Sequence, residues 1–392
     1  MKILFLSFYF EPDLCAGSFR NSPLFYAMLE RLNCDDFIHV ITTVPNRYKT
    51  YEIDSKLVEE GENYRIDRIV IPKHSGGMLD QAISFSVYYK SVLKKIEHNK
   101  YDLVYASSSR LFTAFLGRRC AIKNKCNLYL DIRDIFVDTM KDVFQNKRMF
   151  QIPIIRILKL IERYTFKNAT HINLVSEGFK GYFEKYKKPT YSFYTNGIDD
   201  IFLNACTPTV GMQTPPYIIT YAGNIGSGQG LEKIIPDAAK LLGDKYQFRI
   251  IGDGGTKAIL LDRLKELDVK NVEVVNPVAR EKLIELYNRS TFLFFHLNDL
   301  DAFKKVLPSK MFEYGAFDKP IVAGVGGYAV QFVSQNLSNC ILFQPTDAIS
   351  LVEQLQKYLL VFEDRQNFKE RYSRMNIIHK MVDSILKVGR KH

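Results

Sequence analysis

Apolar runs that are typical of buried strands alternate with helical patterns along the whole chain. The first run, Ile3 to Phe10, is followed by a loop, Glu11 to Ser18, and by a helical pattern from about Asn21 to Leu32. Further strands are predicted at 37–43, 69–71, 103–106, 128–132 and 171–175, and further helices at 80–98, 110–124, 150–167 and 177–187. Because alternating strands and helices form a parallel sheet covered on both faces, the first half is predicted to be a doubly wound α/β domain.

A second alternation follows a stretch that has no periodicity. Residues 207–216 contain several breakers of helices and strands and are predicted to form a linker. Strands are then predicted at 217–222, 246–252, 272–275, 292–297, 321–323 and 340–343, and helices at 230–242, 256–267, 280–288, 309–317, 328–335 and 347–361. The predicted domains are therefore 1–200 and 217–365, and a final polar helix, about 366–392, could pack back on the first domain. Two such domains predict a cleft between the carboxyl ends of two parallel sheets, where ligands bind in this class of fold.

Composition narrows the class of protein. The 392 residues are 46% hydrophobic and 25% charged, which excludes disordered, collagen-like and coiled-coil chains. The longest apolar runs are much shorter than the roughly 20 residues that cross a bilayer, and the amino terminus shows no signal-peptide cleavage site, so we expect a cytoplasmic protein. Six scattered cysteines and seven isolated histidines predict free thiols and no metal site.

Positive charge is concentrated in one segment. The formal net charge is +11, and residues 141–188 alone hold 11 basic and 4 acidic side chains. Four basic residues recur at helical spacing beside a broad apolar face: Arg156, Lys159, Arg163 and Lys167. This basic amphipathic helix is either an ordinary solvated surface helix or a contact for anionic lipid head groups and a diphosphate-linked substrate. No nucleic-acid-binding motif accompanies the charge.

Two glycine-containing loops could approach phosphate groups. Gly17 and Ser18 lie between the first strand and the first helix, and Gly252-Asp253-Gly254 follows a strand of the second half. Glycine lets backbone amides come close to a phosphate at the start of a helix, although a plain turn explains either loop as well. The full dinucleotide fingerprint is absent from both, which disfavours a dehydrogenase.

A cluster of charges follows a buried strand of the first half. Asp131, Arg133 and Asp134 are three charged residues within four positions, and burying them without partners would be unfavourable. We therefore expect them to line a ligand cleft. The alternative is an ion pair between Arg133 and Asp131 or Asp134 that fixes the loop.

The densest group of candidate functional residues is Pro308-Ser309-Lys310-Met311-Phe312-Glu313-Tyr314. Pro308 and Ser309 are start signals for a helix, whose amides and positive end suit an anion, and Lys310 adds a charge beside it. Glu313, four residues beyond Ser309, falls on the same helical face. One surface would then offer phosphate donors and a carboxylate for vicinal hydroxyls, as a nucleoside diphosphate requires; a capped surface helix is the alternative.

Taken in order, these segments resemble the family 4 glycosyltransferases of the GT-B fold, especially bacterial members that build surface polysaccharides such as O-antigen and capsule. The match runs over nearly the whole chain. It rests on ILFLS (3–7) leading to Gly17-Ser18, DIRD (131–134), VSEG (175–178), NGID (196–199), YAGNIG (221–226), IGDG (251–254), and PSKMFEY (308–314) before KPI (319–321).

The resemblance implies a retaining hexosyltransferase that takes a sugar from a nucleotide diphosphate donor, most often a UDP-sugar, without a bound metal or other cofactor. With this activity, the basic amphipathic helix would hold the first domain near a saccharide acceptor linked to a polyprenyl diphosphate, at the inner face of the cell membrane. Glu313 matches the glutamate that holds the donor ribose. Ser309 and Lys310 lie where the family meets the diphosphate, and Gly17 matches the loop that approaches the donor from the first domain.

Three departures from the family pattern change the assignment of residues. The first glutamate of the family's paired motif is Lys305 here, and two usual cations are replaced by Asn224 and Gln229. The family's histidine near 131–134 is missing, with Arg133 or Asp134 in its place.

The remaining charged residues then become the candidates for catalysis. Lys310 and Arg280 become the candidates for neutralising the leaving phosphates, and Asp131 or Asp134 could orient the acceptor hydroxyl. Two alternatives stay open: a GT-B nucleotide-sugar epimerase, and a non-catalytic homologue that binds nucleotide sugars.

Overall fold

The computed structural model describes residues 1–13, 15–46, 55–72, 78–108, 111–144, 148–210 and 213–390. Parts of several sequence predictions lie outside the described residues: position 14 of the first loop, position 110, positions 145–147 of the basic segment, positions 211–212 of the linker, and positions 391–392. The chain forms two compact units. Unit 1 comprises Met1–Thr195 and Ile377–His392, and unit 2 comprises Asn196–Asn376.

Unit 1 is built on one sheet. Its described strands are β1 (Lys2–Ser7), β2 (Phe37–Thr43), β3 (Val58–Glu60), β4 (Tyr64–Ile69), β5 (Leu103–Ser108), β6 (Asn127–Ile132), β7 (His171–Leu174) and β8 (Thr190–Ser192). They lie in the order β3-β4-β2-β1-β5-β6-β7-β8, and every pair is parallel except β3 with β4. The helices are α1 (Ser18–Leu29), α2 (Met78–Lys95), α3 (Leu111–Asn124), α4 (Phe136–Val143), α5 (Arg148–Phe166) and α6 (Lys180–Phe183).

The central strand β1 shows why this sheet forms. Ile3, Leu4, Phe5 and Leu6 are all fully buried, because a parallel strand with neighbours on both edges is covered on both faces. Consecutive apolar residues therefore predict such a strand well. By contrast, β4 was expected at 69–71 and lies at Tyr64–Ile69, since its sequence alternates charged and apolar residues. Its buried Asp67 pairs with Arg65 of the same strand and also with His39 of β2 and Lys95 of α2, and these last two contacts leave no local pattern.

Unit 2 repeats the plan with six strands in its described part. They are β9 (Tyr217–Asn224), β10 (Tyr246–Asp253), β11 (Val272–Val275), β12 (Phe292–His296), β13 (Ile321–Gly324) and β14 (Cys340–Phe343), in the order β11-β10-β9-β12-β13-β14. All pairs are parallel. Beside them lie α7 (Asp200–Leu203), α8 (Leu231–Leu242), α9 (Lys257–Glu266), α10 (Arg280–Asn288), α11 (Ser309–Gly315), α12 (Tyr328–Asn336), α13 (Ala348–Lys357) and α14 (Gln366–Tyr372). The predicted fold class, two doubly wound α/β domains, is confirmed in each unit.

The chain changes units at Thr195, before the stretch that the sequence predicts as the linker. Within that stretch, the Thr207 amide donates to Asn288 Oδ1 at 2.9 Å and the Thr209 amide to Asp318 Oδ2 at 2.7 Å. These bonds attach the segment to unit 2. The expected final helix is in fact two, α14 and α15 (Arg374–Gly389), and Met381, Val382 and Ile385 of α15 are buried in unit 1.

Among the described helices, none combines the length and the apolar composition that are needed to cross a bilayer.

Candidate functional site

Each sheet has a switch point, where successive strands are added on opposite sides of the first. In unit 2 it lies between β9 and β12, and in unit 1 between β1 and β5. Ligands of doubly wound sheets bind outside the carboxyl ends of the strands at this point. We therefore expect the ligand-binding residues of each unit to lie at this edge of its sheet.

In unit 2, α11 is tied to the carboxyl end of β9. The Ala222 amide donates to the hydroxyl of the buried Tyr314 at 3.0 Å. This bond brings the preceding turn of α11, with Lys310, to the strand end: Lys310 Cε lies 3.4 Å from the point where a Cβ on Gly223 would be. Gly223 thus leaves room for the lysine side chain, while Ser309 is exposed at the first turn of α11.

Lys310, Glu313 and Tyr287 form one bonded cluster. Lys310 Nζ donates to both carboxylate oxygens of Glu313, each at 2.9 Å, and the Tyr287 hydroxyl donates to Glu313 Oε1 at 2.6 Å. The lysine and glutamate side chains are 24% and 17% exposed, so a ligand can reach both. Burial, followed by the charge of Glu313, raises the pKa of Tyr287 well above its ordinary value, which keeps this hydroxyl a donor.

The glycine loop lies beside this cluster. Gly252 pairs with Gly223 and Asp253 with Asn224 where β9 and β10 end. A Cβ on Gly252 would lie 1.9 Å from the Gly223 carbonyl oxygen, and its φ is +156°, so only glycine fits between the two strand ends. The position is thus required by packing as much as by any ligand.

The polar residues around these strand ends bond mainly to their neighbours. Asn224 donates to Gln229 Oε1 at 2.8 Å, and the exposed Asp253 accepts from the Gly254 amide at 2.9 Å. The two residues that replace the family's cations therefore bond to each other.

Arg280 pairs with a carboxylate of unit 2, and its expected role at the leaving phosphates stays a prediction. Its Nη1 donates to Asp199 Oδ2 at 2.9 Å, and Arg374 donates to the same oxygen at 2.9 Å. The charge of Arg280 is thus shared with a carboxylate of the NGID segment, and Lys310 is the cation that lies beside Glu313.

In unit 1, Asp131 does not lie at the surface of a ligand cleft, which corrects the expectation. It is fully buried, and its two oxygens accept from Arg20 Nε at 2.8 Å and Nη2 at 2.9 Å, with Asn173 Nδ2 at 2.8 Å. Burial alone would raise the pKa of Asp131, but the charge and hydrogen bonds of Arg20 outweigh burial and lower it. Its partner is Arg20, which lies 111 residues away in sequence, rather than Arg133.

Arg133 and Asp134 lie at the strand edge and are half-buried. Asp134 Oδ2 accepts from the Thr139 hydroxyl at 3.2 Å, and burial raises the pKa of this carboxyl to about 6. Arg133 Nη1 lies 3.1 Å from the point where a Cβ on Gly17 would be, so the structure brings these two predicted residues together. Ser18, the first residue of α1, is buried behind them.

Sequence reasoning missed Arg20 and Tyr287. Each is a buried side chain whose partner is distant in sequence, so no local pattern indicates the role of either residue. Among the described residues, no group of three or more histidine, cysteine, aspartate and glutamate side chains could hold a metal ion.

A second surface of unit 1 is formed by α5. The expected apolar face is divided: Ile155 and Leu158 are buried, whereas Ile157 and Leu160 are 57% and 68% exposed. Tyr164 lies on the same exposed side. The four basic residues at helical spacing are also exposed: Arg156, Lys159, Arg163 and Lys167. An apolar strip and a basic strip thus lie side by side in solvent.

Comparison with known proteins gives one family and several relatives. Residues 209–375 match the family described as glycosyl transferases group 1. A putative colanic acid biosynthesis glycosyl transferase, WcaI, from Escherichia coli (strain K12) is 23% identical over 300 residues, which cover 70% of this chain and 71% of that one.

Solved structures resemble the whole chain. Sucrose-phosphate synthase from Thermosynechococcus elongatus superimposes with a TM-score of 0.75 at 13% identity and covers 98% of both chains. The lipopolysaccharide glycosyltransferase WaaG has a TM-score of 0.68 at 14% identity, covering 98% of this chain and 99% of that one. Anabaena Alr3699/HepE in complex with UDP has a TM-score of 0.66 at 16% identity, covering 99% of this chain and 100% of that one.

Proposed function

We propose that this chain, a glycosyltransferase of GT-B fold whose residues 209–375 match the glycosyl transferases group 1 family, moves a sugar from a nucleoside diphosphate to a saccharide acceptor in the synthesis of a cell-surface polysaccharide. The observation that carries the proposal is the cluster of Lys310, Glu313 and Tyr287 at the switch point of unit 2. UDP is the proposed nucleotide, since the similar Anabaena protein was crystallised with UDP and with UDP-glucose.

The cluster supplies two complementary groups. The Glu313 carboxylate accepts hydrogen bonds from the vicinal hydroxyls of ribose, while Lys310 donates to the diphosphate. When the bond between sugar and diphosphate breaks, negative charge grows on the phosphate oxygens, so the interaction with Lys310 strengthens in the transition state. We assign the neutralisation of the leaving diphosphate to this lysine, so the proposed transfer uses no bound metal. The proposed transfer retains the configuration at the anomeric carbon of the sugar.

Asp134, rather than Asp131, is the carboxylate we assign to the acceptor hydroxyl. Asp131 is fully buried with both oxygens bonded to Arg20, whereas Asp134 is half-buried and accepts from the Thr139 hydroxyl. With a pKa of about 6, Asp134 is mostly ionised at neutral pH and can accept the hydroxyl proton. Wild-type turnover should therefore fall below about pH 6, and Asp134→Asn should lose most activity together with this dependence on pH.

The exposed strips of α5 support a peripheral contact with an anionic membrane, where a lipid-linked acceptor would be found. Basic side chains bind anionic head groups, and apolar side chains beside them enter the acyl boundary. In flotation with vesicles containing anionic lipid, Leu160→Asp should abolish co-flotation. Leu241→Asp, a change at a similarly exposed leucine of unit 2, should not. Equal flotation of both variants would refute the assignment.

The test of the function is binding followed by product analysis. UDP and UDP-sugars should raise the melting temperature of the wild type, because a ligand that binds only the native state stabilises it. Lys310→Ala should lower turnover at least tenfold with little change in stability, whereas Lys357→Ala, which removes an exposed ion pair with Glu353, should change neither.

The products separate the alternatives. An isomerised nucleotide sugar formed without an acceptor would indicate an epimerase. Donor binding with neither transfer nor hydrolysis would indicate a non-catalytic homologue. Failure of every nucleoside diphosphate to bind would refute the proposal.

A further inference from the structure

The guanidinium of Arg133 lies beside the loop that leads into α1. Its backbone amide donates to the Ser108 carbonyl oxygen at 3.0 Å, which holds the residue at the carboxyl end of β5 and β6. Its Nη1 is 3.1 Å from the point where a Cβ on Gly17 would lie, and Cys15 Sγ is 3.5 Å from the same point. The charged group therefore lies at the switch point of unit 1, over a glycine that leaves it room.

The carboxylates of Asp131 and Asp134, on either side of Arg133 in the sequence, bond to other side chains. Asp131 accepts both bonds from Arg20, and Asp134 accepts from Thr139. Across the described part of the chain, no oxygen accepts a hydrogen bond from the Arg133 guanidinium and no carboxylate pairs with it. Burial lowers the pKa of Arg133, and the charge of Asp131 opposes this effect only in part.

An unpaired guanidinium in a half-buried position is unfavourable for folding. In the described part of the chain its N–H donors have no protein acceptor, and because the side chain is half-buried they lose part of their hydration without gaining a bond. Such a group is retained where a ligand supplies the missing acceptor. Its neighbour α1 begins at Ser18 without a side-chain cap and carries no acidic residue in its first turn, so nothing negative from this helix compensates the charge.

We propose that Arg133 binds an oxyanion, a carboxylate or a phosphate, on the ligand of unit 1, and so selects an acidic substrate. A planar guanidinium matches either group with two parallel hydrogen bonds, which a neutral sugar hydroxyl does not offer. The inference rests on the proposed function, because the oxyanion belongs to a substrate of the transfer.

The test uses thermal unfolding of the full chain with sodium phosphate, glucuronate, glucose and, for matched ionic strength, sodium chloride. Phosphate, glucuronate or both should raise the melting temperature of the wild type by several degrees, whereas glucose and chloride should not. Arg133→Gln should lose most of this shift, and Arg133→Lys should keep about half, since an ammonium is a point charge. A shift with phosphate alone identifies a phosphate, and a shift with glucuronate alone identifies an acidic sugar.

The control is Arg31→Gln, which removes another arginine of unit 1 whose guanidinium already pairs with a carboxylate, that of Asp383. This variant should respond to oxyanions as the wild type does. Equal shifts in the wild type and Arg133→Gln, or no shift in the wild type, would overturn the inference.

A structural role for Arg133 is tested without ligand. Since no bond is lost, Arg133→Gln should melt at or above the wild-type temperature, and a fall of several degrees would overturn the inference. The proposed function fails separately, if UDP does not raise the melting temperature of the wild type. If UDP does raise it, but oxyanions shift the wild type and Arg133→Gln equally, only the assignment of Arg133 fails.

Discussion

Replacing Lys310 by Met should affect a nucleoside and its diphosphate in opposite directions. Lys310 Nζ donates to both oxygens of Glu313 at 2.9 Å, and these oxygens are the acceptors that ribose hydroxyls need. Uridine, which has no phosphate to attract the ammonium, must displace it without compensation. UDP offers the ammonium a new partner. Lys310→Met should therefore strengthen the binding of uridine and weaken the binding of UDP.

The size of each effect follows from the exposure of the pair. With side chains 24% and 17% exposed, the gross attraction is about 4 kcal/mol at an effective dielectric constant near 20. Desolvation and side-chain entropy reduce the net value to about 1 kcal/mol. Uridine should thus bind up to about fivefold more tightly. UDP loses charge-assisted hydrogen bonds that contribute about 1.5 to 3 kcal/mol but gains the same ~1 kcal/mol from the freed Glu313, so it should bind roughly 2- to 30-fold more weakly.

Isothermal titration of the full chain with uridine and with UDP measures both changes. Lys357→Met is the control, because Lys357 forms a lysine–carboxylate pair on an exposed face of unit 2. This control should leave both affinities unchanged. If Lys310→Met weakens uridine and UDP alike, the lysine does not occlude Glu313 and the reasoning is wrong.

Three further predictions concern stability, each measured by urea unfolding. Gly252→Ala should destabilise by about 3 kcal/mol or more, because its Cβ would lie 1.9 Å from a carbonyl oxygen, whereas Gly181→Ala, with nothing within 4 Å, should change stability by less than about 1 kcal/mol. His296, buried with its Nδ1 bonded to a carbonyl and its Nε2 accepting an amide, has a pKa lowered by burial to about 4. The folded state thus favours the neutral ring. The free energy of unfolding should be unaffected above about pH 6.5 and should fall by up to about 3 kcal/mol between pH 6.5 and 4. His296→Gln should not show this loss. Arg20→Met should destabilise by about 3 to 5 kcal/mol, since it leaves Asp131 buried and unpaired; a loss below 1 kcal/mol would contradict the pairing.

Much of the fold follows from local patterns. Each strand of unit 2 lies close to its predicted bounds, because parallel strands buried on both faces are continuous apolar runs such as Phe292 to Phe295. The position of Lys310 next to Glu313 is also local, since residues three apart share a helical face. Where a strand carries a buried charge, as β4 does at Asp67, the pattern misleads, because partners such as His39 of β2 and Lys95 of α2 come from other elements.

The sequence by itself determined the two α/β units and the helix that carries Lys310 and Glu313, because periodicity and helix start signals act over a few residues. Only the tertiary structure decided which charged side chains pair with another residue and which have no such partner. In the segment DIRD, Asp131 and Arg133 are both charged residues without an evident partner. In the structure Arg20 of α1 pairs with Asp131, and the Arg133 guanidinium is left unpaired. Side chains choose partners by distance in space, and a contact across 111 residues leaves no local pattern in the sequence.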